Sequence, residues 1–331
     1  MPRYLALVLI VTLPLPAIGA GKKDLQLRVS SVSAIDALWR DPLDIRSRDL
    51  FYGAGGSQDQ PHGPFTFLKE DMNGTNPKFT IRDADGVKWK VKLGVEARPE
   101  TAASRFVWAA GYFVDDDYFL PQLTVEKMSR LRRGQHLVTP GGVVHNVRLK
   151  REPKDEKKAG EWSWRDDPFA GTRQWNGLRV IMALINNWDL KDENNAIRDI
   201  DGHPVYLVSD LGASFGTTGF DLTHAQSKGN LHNYERSRFI TKVSGEYVNF
   251  ATPSRPALIR LFVLPEFIRR THLEWIGRRI PLADARWIGQ LLARLSNDQV
   301  QSAFRAAGYD PAEVQRFSTA IEKRIAELNK L

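Results

Sequence analysis

The chain has 331 residues, 42% hydrophobic and 26% charged, which fits one two-lobed domain or two ordinary ones and excludes a disordered chain. The formal charge is +8, yet no basic run is interleaved with aromatic residues, so the excess points to a basic surface that accepts acidic ligands rather than to nucleic acid. With no cysteine there is no disulfide, no thiolate metal site and no lipoprotein anchor.

At the N-terminus Arg3 precedes an apolar run from Leu5 to Leu13, and Pro14 to Ala20 ends in small residues. A charged start, a short apolar stretch and a small-residue end read as a secretory signal peptide over residues 1–20, cleaved after Gly19 or Ala20. An uncleaved anchor is the alternative, although the run is short for a span of ~20 residues. No later stretch is long and apolar enough to cross a membrane. The expectation is an exported chain, periplasmic or extracellular.

Residues 21–60 form an N-terminal extension in which Val29 to Trp39 could be a short helix or strand. Phe51 to Gly56 is a glycine-rich turn that reads as a plain loop. A meander follows. Phe65–Leu68 is predicted as a strand, Asn73-Gly74-Thr75-Asn76-Pro77 as a turn, Lys78–Arg82 as a second strand and Asp83–Gly86 as a hairpin turn. Val87 to Leu93 alternates, with Val87, Trp89, Val91 and Leu93 on one face and Lys88, Lys90 and Lys92 on the other. The lysine face reads either as a solvated surface or as a contact for phosphate. The loop that carries Gly74 and ends in Lys78 reads either as an ordinary turn or as backbone N–H groups and an ammonium for phosphates.

A helix is expected next, with Pro99 and Glu100 in its first turn, Ala103, Phe106, Val107 and Ala110 on its apolar face and Gly111 at its end. Asp115 to Arg133 reads as strand and turn, and Val143 to Leu149 as a further strand. The dense charge run from Lys150 to Lys158 reads as a solvated loop connecting two lobes. Trp162 and Trp164 lie in a charged region and could be exposed.

Residues 171–188 have the clearest helical period, with Trp175, Leu178, Ile181, Met182, Ile185 and Trp188 on one face, running into Asp189. There the sequence reads D-x-K-x-x-N, from Asp189 through Lys191 to Asn194, with Asn195 beside it. This order of residue types suits phosphoryl transfer. A carboxylate can take or orient the proton of an attacking hydroxyl, an ammonium can neutralise charge on the moving group, and an amide oxygen can help hold a metal ion. Val205–Val208 is predicted as a strand, and it leads into D-x-G at Asp210-Leu211-Gly212, then Phe215-Gly216. The last third reads as helical. Leu258 to Leu264 is apolar, Ser296 to Gln299 is a capping box ahead of Val300 to Ala307, and Asp310-Pro311 opens a final helix through Val314, Phe317, Ile321, Ile325 and Leu328. The seven histidines are scattered without a zinc spacing.

Taken in order, a glycine loop, a strand lysine, a helix glutamate, D-x-K-x-x-N and D-x-G make the chain resemble the protein-kinase-like superfamily. Gly74 to Lys78 with Lys92 and Glu100 is similar to the phosphate loop and small lobe of HipA-type kinases. Asp210 to Gly216 is similar to the metal segment of phosphoinositide and secretory-pathway kinases, and Asp189 to Asn194 to the catalytic loop of ordinary protein kinases. The resemblance implies an α+β, bilobal fold, with a small antiparallel-sheet lobe with one helix over 61–150 and a mainly helical lobe over 151–331. It implies Asp189 and Lys191 as catalytic. Gly74, Lys78, Lys92 and Glu100 would act on the nucleotide, and Asn194 and Asp210 on the metal. Lys90, Glu96 and Asn195 are the competing choices. ATP or another nucleotide, with Mg2+, would be the cofactors, and the acceptor is left open. The departures are the missing G-x-G-x-x-G, Asn187-Trp188 in place of His-Arg before Asp189, and no A-P-E after Asp210, where Gly216 to Asn233 could serve as an activation or substrate segment. The expected activity is transfer of a phosphoryl or nucleotidyl group by an exported atypical kinase, and the alternative is an inactive kinase-like binding module of the cell envelope. Export adds a constraint, because the space beyond a bacterial inner membrane holds little ATP.

Overall fold

The computed structural model describes residues 34–74, 76–152, 157–187, 189–217, 228–251 and 273–331. The signal peptide, Trp188, the apolar stretch Leu258–Leu264 and part of the segment from Gly216 to Asn233 lie outside the described residues.

The small lobe is built on strands β1 (Phe65–Asp71), β2 (Lys78–Arg82), β3 (Lys88–Lys92), β4 (Asp117–Glu126), β5 (Val138–Thr139) and β6 (Val143–Glu152). Their order is β3-β2-β1-β4-β6-β5, and β3 also pairs with β6. The antiparallel sheet expected from the sequence therefore closes on itself, with one short parallel pairing between β1 and β4. Closure follows from the alternation. Trp89 and Val91 of β3, Phe79 and Ile81 of β2 and Val147 and Leu149 of β6 all point into one buried cluster. Asp83 fixes the β2–β3 turn by accepting from the Val87 amide at 2.8 Å and the Trp89 indole at 2.7 Å.

Two expectations need correcting here. The charge run is not one solvated loop, because Lys150, Arg151 and Glu152 continue β6 and Lys157–Gly160 form β7. Strand pairing on both sides of β6 holds these charged residues in the ladder, and Lys150 faces a cleft rather than open solvent. Trp162 and Trp164 are core residues, 3% and 1% exposed, packed edge to face with each other.

Among the described residues there are six α-helices: α1 (Ala97–Ala109), α2 (Arg173–Leu184), α3 (Leu231–Arg236), α4 (Leu282–Leu292), α5 (Asn297–Ala306) and α6 (Pro311–Asn329). The capping boxes at Ser296 and Asp310 form as the sequence predicts, and Val314, Phe317, Ile321, Ile325 and Leu328 of α6 are buried. Helix α2 ends at Leu184 rather than running to Asp189. Asn186, at φ 55°, turns the chain out of the helix and a short loop delivers Asp189. Strands β8 (Asn195–Ile200) and β9 (His203–Val208) form a hairpin that β7 extends. A third sheet holds β10 (Ile240–Ser244), β11 (Tyr247–Phe250) and β12 (Ile280–Pro281).

Helix α1 belongs to the small lobe in sequence, but its apolar face joins the large-lobe core. Phe106 packs on Phe215 and Phe304, with ring centroids 6.2 and 5.5 Å away. Its other face is tied to β4, where the Arg105 guanidinium donates to the Asp117 carboxylate at 2.9 Å and to the Asp117 carbonyl at 2.7 Å. Both side chains are buried, and burial lifts the Asp117 carboxyl to about 6 against the pull of Arg105. Arg105→Ala strands this carboxylate in the interior, so thermal and urea melts followed by circular dichroism should show a loss of about 3–5 kcal/mol.

Candidate active site

Lys92 stands at the end of β3 and its ammonium is buried among three carboxylates. Nζ lies 2.7 Å from Glu100 and 3.1 Å from Glu96, both carried by the start of α1, and 3.2 Å from Asp210 of the D-x-G segment. Burial works against the charged ammonium, but Glu100, Asp210 and Glu96 outweigh it and raise the lysine above its ordinary value. The carboxylates respond in the opposite sense. Burial alone would raise Asp210, yet Lys92 overrides it and holds the group well below the usual carboxylate range; Glu96 is lowered by the same balance. Ligand oxygens of Glu96, Glu100 and Asp210 all lie within 4.8 Å of one another, and the lysine serves as the cation that holds them together.

The competing choices separate here. Lys90 points to Asp71 and Glu152 at 3.5 and 3.4 Å and does not reach the glutamates of α1. Glu96 and Glu100 both hold Lys92, and they differ in their second partner. Glu100 also accepts from Arg148 of β6, whereas Glu96 pairs with Lys228 at 2.5 Å, beyond the D-x-G segment. Gly212 lets α1 approach that segment, because a β-carbon there would stand 2.8 Å from the Glu96 side chain.

Gly74 sits within the β1–β2 loop, and Lys78 opens β2 at its end. Gly74 has φ +65°, and its carbonyl accepts from Arg133, which staples the loop. Lys78 lies directly across from Lys92 on the neighbouring strand. It makes no ion pair among the described residues, and burial together with Lys92 lowers its affinity for a proton.

Asn194 decides the geometry of the D-x-K-x-x-N loop. Its Nδ2 donates to the Asp189 carbonyl at 2.7 Å, and its own carbonyl accepts the amides of Ser209 and Asp210 at 2.9 and 3.3 Å. D-x-K-x-x-N and D-x-G are thus held side by side. Asn195 is 2% exposed and donates to the Trp162 carbonyl, so it is committed to the core. Asp189 and Lys191 pair with each other at 2.9 Å. Both stand outside the cleft lining that includes Asn194 and Asp210. The Asn194 amide oxygen and the Asp210 carboxylate, whose side chain is 43% exposed, offer hard oxygen donors that suit Mg2+.

The cleft between the lobes has a volume of about 860 Å³, and its lining brings Gly74, Lys78, Lys92, Glu100, Asn194 and Asp210 together. The sequence reading missed several neighbours. Arg148 shares Glu100 with Lys92. Asp115, buried behind the cleft, binds Lys150 at 3.0 Å, Ser209 Oγ at 2.6 Å and Arg198. The alternation of Val147 and Leu149 places Arg148 and Lys150 on the opposite face of β6, but only the register shows that this face meets Lys92 and Lys90.

The lysine–glutamate pair between the third strand and the following helix, the loop after α2, the strand hairpin and the D-x-G segment are arranged as the resemblance to protein-kinase-like proteins implies. No protein-family model and no curated protein matches the sequence. Among solved structures, the chain is similar to the Helicobacter pylori proinflammatory kinase CtkA, at 10% identity and a TM-score of 0.42, over 80% of this chain and 96% of that one. It is also similar to the Golgi casein kinase, at 11% identity and a TM-score of 0.38, over 88% of this chain and 75% of that one.

Lys150 gives the site a pH signature. Burial, with Arg148, Lys90 and Lys92 nearby, pushes its ammonium down to about 8, outweighing the pull of the Glu100 carboxylate. Above that pH the unfolded chain, with lysine near 10.5, holds a proton that the folded chain has lost, so this residue makes stability rise between about 8 and 10.5. Urea melts across that window should show the rise in the native protein and a flatter profile in Lys150→Met.

Proposed function

We infer that the chain is an exported atypical kinase that moves a phosphoryl group from a metal-bound phosphate donor to an acceptor hydroxyl. The observation that carries this reading is the Lys92 ammonium, in contact with Glu100 of α1 and Asp210 of D-x-G in one cleft. Phosphoryl transfer asks a protein for position and charge, and these residues supply both. Glu100 holds Lys92 against the donor's phosphate oxygens. Gly74 and Lys78 cover those oxygens from the β1–β2 loop. Asp210 and Asn194 would hold the magnesium, which when bound neutralises the oxygens of the transferring group. Asp189 takes the proton of the acceptor hydroxyl, and Lys191 offsets charge in the transition state. Export rests on Arg3 and the apolar run from Leu5 to Leu13.

The test is magnesium-dependent phosphate binding by calorimetry, and phosphate transfer to hydroxyl acceptors, with the purified chain beside two variants. Asp210→Ala should lose the magnesium dependence of binding while the circular dichroism spectrum is kept. Asp189→Ala should keep binding and lose transfer by about 10²–10⁴-fold. A native protein that binds no phosphate ligand, or whose binding ignores Asp210, would sink the kinase reading. One that binds with Asp210 but never transfers is the envelope binding module instead.

A further inference from the structure

Three strands turn one face to the cleft, and their register arranges the side chains in rows. Lys78, Lys92 and Arg148 are direct neighbours across β2, β3 and β6. In the next row Lys90 stands between Thr80 and Lys150, and in the third Lys88 stands between Arg82 and Glu152. Like charges placed directly across a ladder repel. The rows are nonetheless assembled, and the repulsion is visible: Lys92 and Lys90 help lower Lys78, and Lys90 and Lys92 help lower Lys150. Carboxylates behind or beside the cleft answer only part of this charge. Lys90 reaches Asp71 and Glu152 at 3.5 and 3.4 Å, whereas Lys78 and Lys88 make no ion pair among the described residues.

Equally informative is what the wall lacks. Among the described residues lining the cleft, Ala196 is the one with an apolar side chain, and no aromatic residue is present. Sites for drug-sized and cofactor-sized molecules are mostly apolar, with few polar groups, because a flat ring gains affinity by leaving water against carbon. Against this wall a purine would strip water from ammonium groups and meet only lysine and arginine stems and Ala196 in return, with no aromatic face among the described lining residues. Arg151 and Arg198 are the planar groups of the wall apart from Arg148, and their edges are held by Asp59 at 3.0 Å and by Asp115. An apolar pocket of about 250 Å³, with Trp108, Phe113 and Leu207 in its wall, also exists, and these same two arginines are the partition it shares with the cleft.

We propose that the donor is a phosphate chain without a nucleobase, laid along the lysine rows of β2, β3 and β6, a proposal that rests on the kinase reading of the same cleft. The acceptor oxygen bonds to the terminal phosphorus, the bridging P–O bond breaks with its electron pair leaving on the shortened chain, and the hydroxyl proton passes to Asp189. The products are a phosphate ester and a phosphate chain one unit shorter. Such a donor also removes the need for ATP beyond a membrane.

The experiment compares four probes by calorimetry on the full chain with magnesium: tripolyphosphate, a longer inorganic polyphosphate, ATP and adenosine. Tripolyphosphate should bind within about threefold of ATP, the longer chain more tightly, and adenosine not at all. Lys88→Met and Lys90→Met should weaken tripolyphosphate and ATP by the same factor, each by about three- to tenfold, and a rise in salt should weaken both in parallel. ATP binding about tenfold or more tighter than tripolyphosphate would overturn the base-free donor and leave the kinase reading standing. Absence of binding by either phosphate chain overturns it as well. If the chains bind as expected but Asp210→Ala leaves their magnesium dependence intact and no ester forms, the polyphosphate site stands and the kinase reading falls.

Discussion

The site depends on a single buried ammonium. Taking a charge of this size out of water costs several kcal/mol even after the protein relaxes, and it is tolerated only when its partners are close and well placed. Lys92 has three, and they come from two elements far apart in sequence: the start of α1 and the D-x-G segment. The three carboxylates would repel one another without the lysine. Each element is therefore in place only if the others are, and the closed small-lobe sheet, the helix and the large lobe share one electrostatic keystone.

Apolar packing sets the precision of that arrangement. Helix α1 carries Glu96 and Glu100 on one side and Phe106 on the other, and Phe106 rests on Phe215, five residues after Asp210. Phe215 in turn touches Tyr234, Phe304 and Phe317. A shift of the large-lobe aromatic cluster moves both ends of the lysine's carboxylate ring. Interiors at crystal-like packing density do not absorb such shifts gradually, so the positions of α1 and of Asp210 change together.

Much of this was legible in the sequence, for a physical reason. Alternation exposes a strand, helical period exposes a buried face, and capping boxes mark helix starts, so β2, β3, α1, α5 and α6 follow from local pattern. That Lys92, Glu100, Asn194 and Asp210 would meet in one cleft was also readable, because the resemblance groups those residue types in that order. Closure of the sheet was not, since it depends on which strands meet across β3 and β6. Nor were Arg148, Lys150 and Asp115. Each is a charged residue whose burial depends on a partner more than thirty residues away, and a charge run reads as solvated until its register is known. The same gap misplaced Trp162 and Trp164, whose charged neighbours in sequence are not their neighbours in space.

Formal charge explains why the ion cluster at the cleft can stand without a ligand. Lys92, Arg148 and Lys228 meet Glu96, Glu100 and Asp210, three positive groups against three negative ones. A phosphate drawn to Lys92 alone would leave Asp210 facing it with like charge, and a divalent ion drawn to Asp210 alone would face the ammonium. A magnesium–phosphate unit would avoid both conflicts, with Lys92 answering the phosphate charge and Asp210 holding the ion. Lys78, which makes no ion pair among the described residues, supplies a charge beside Lys92 that none of these carboxylates has to give up.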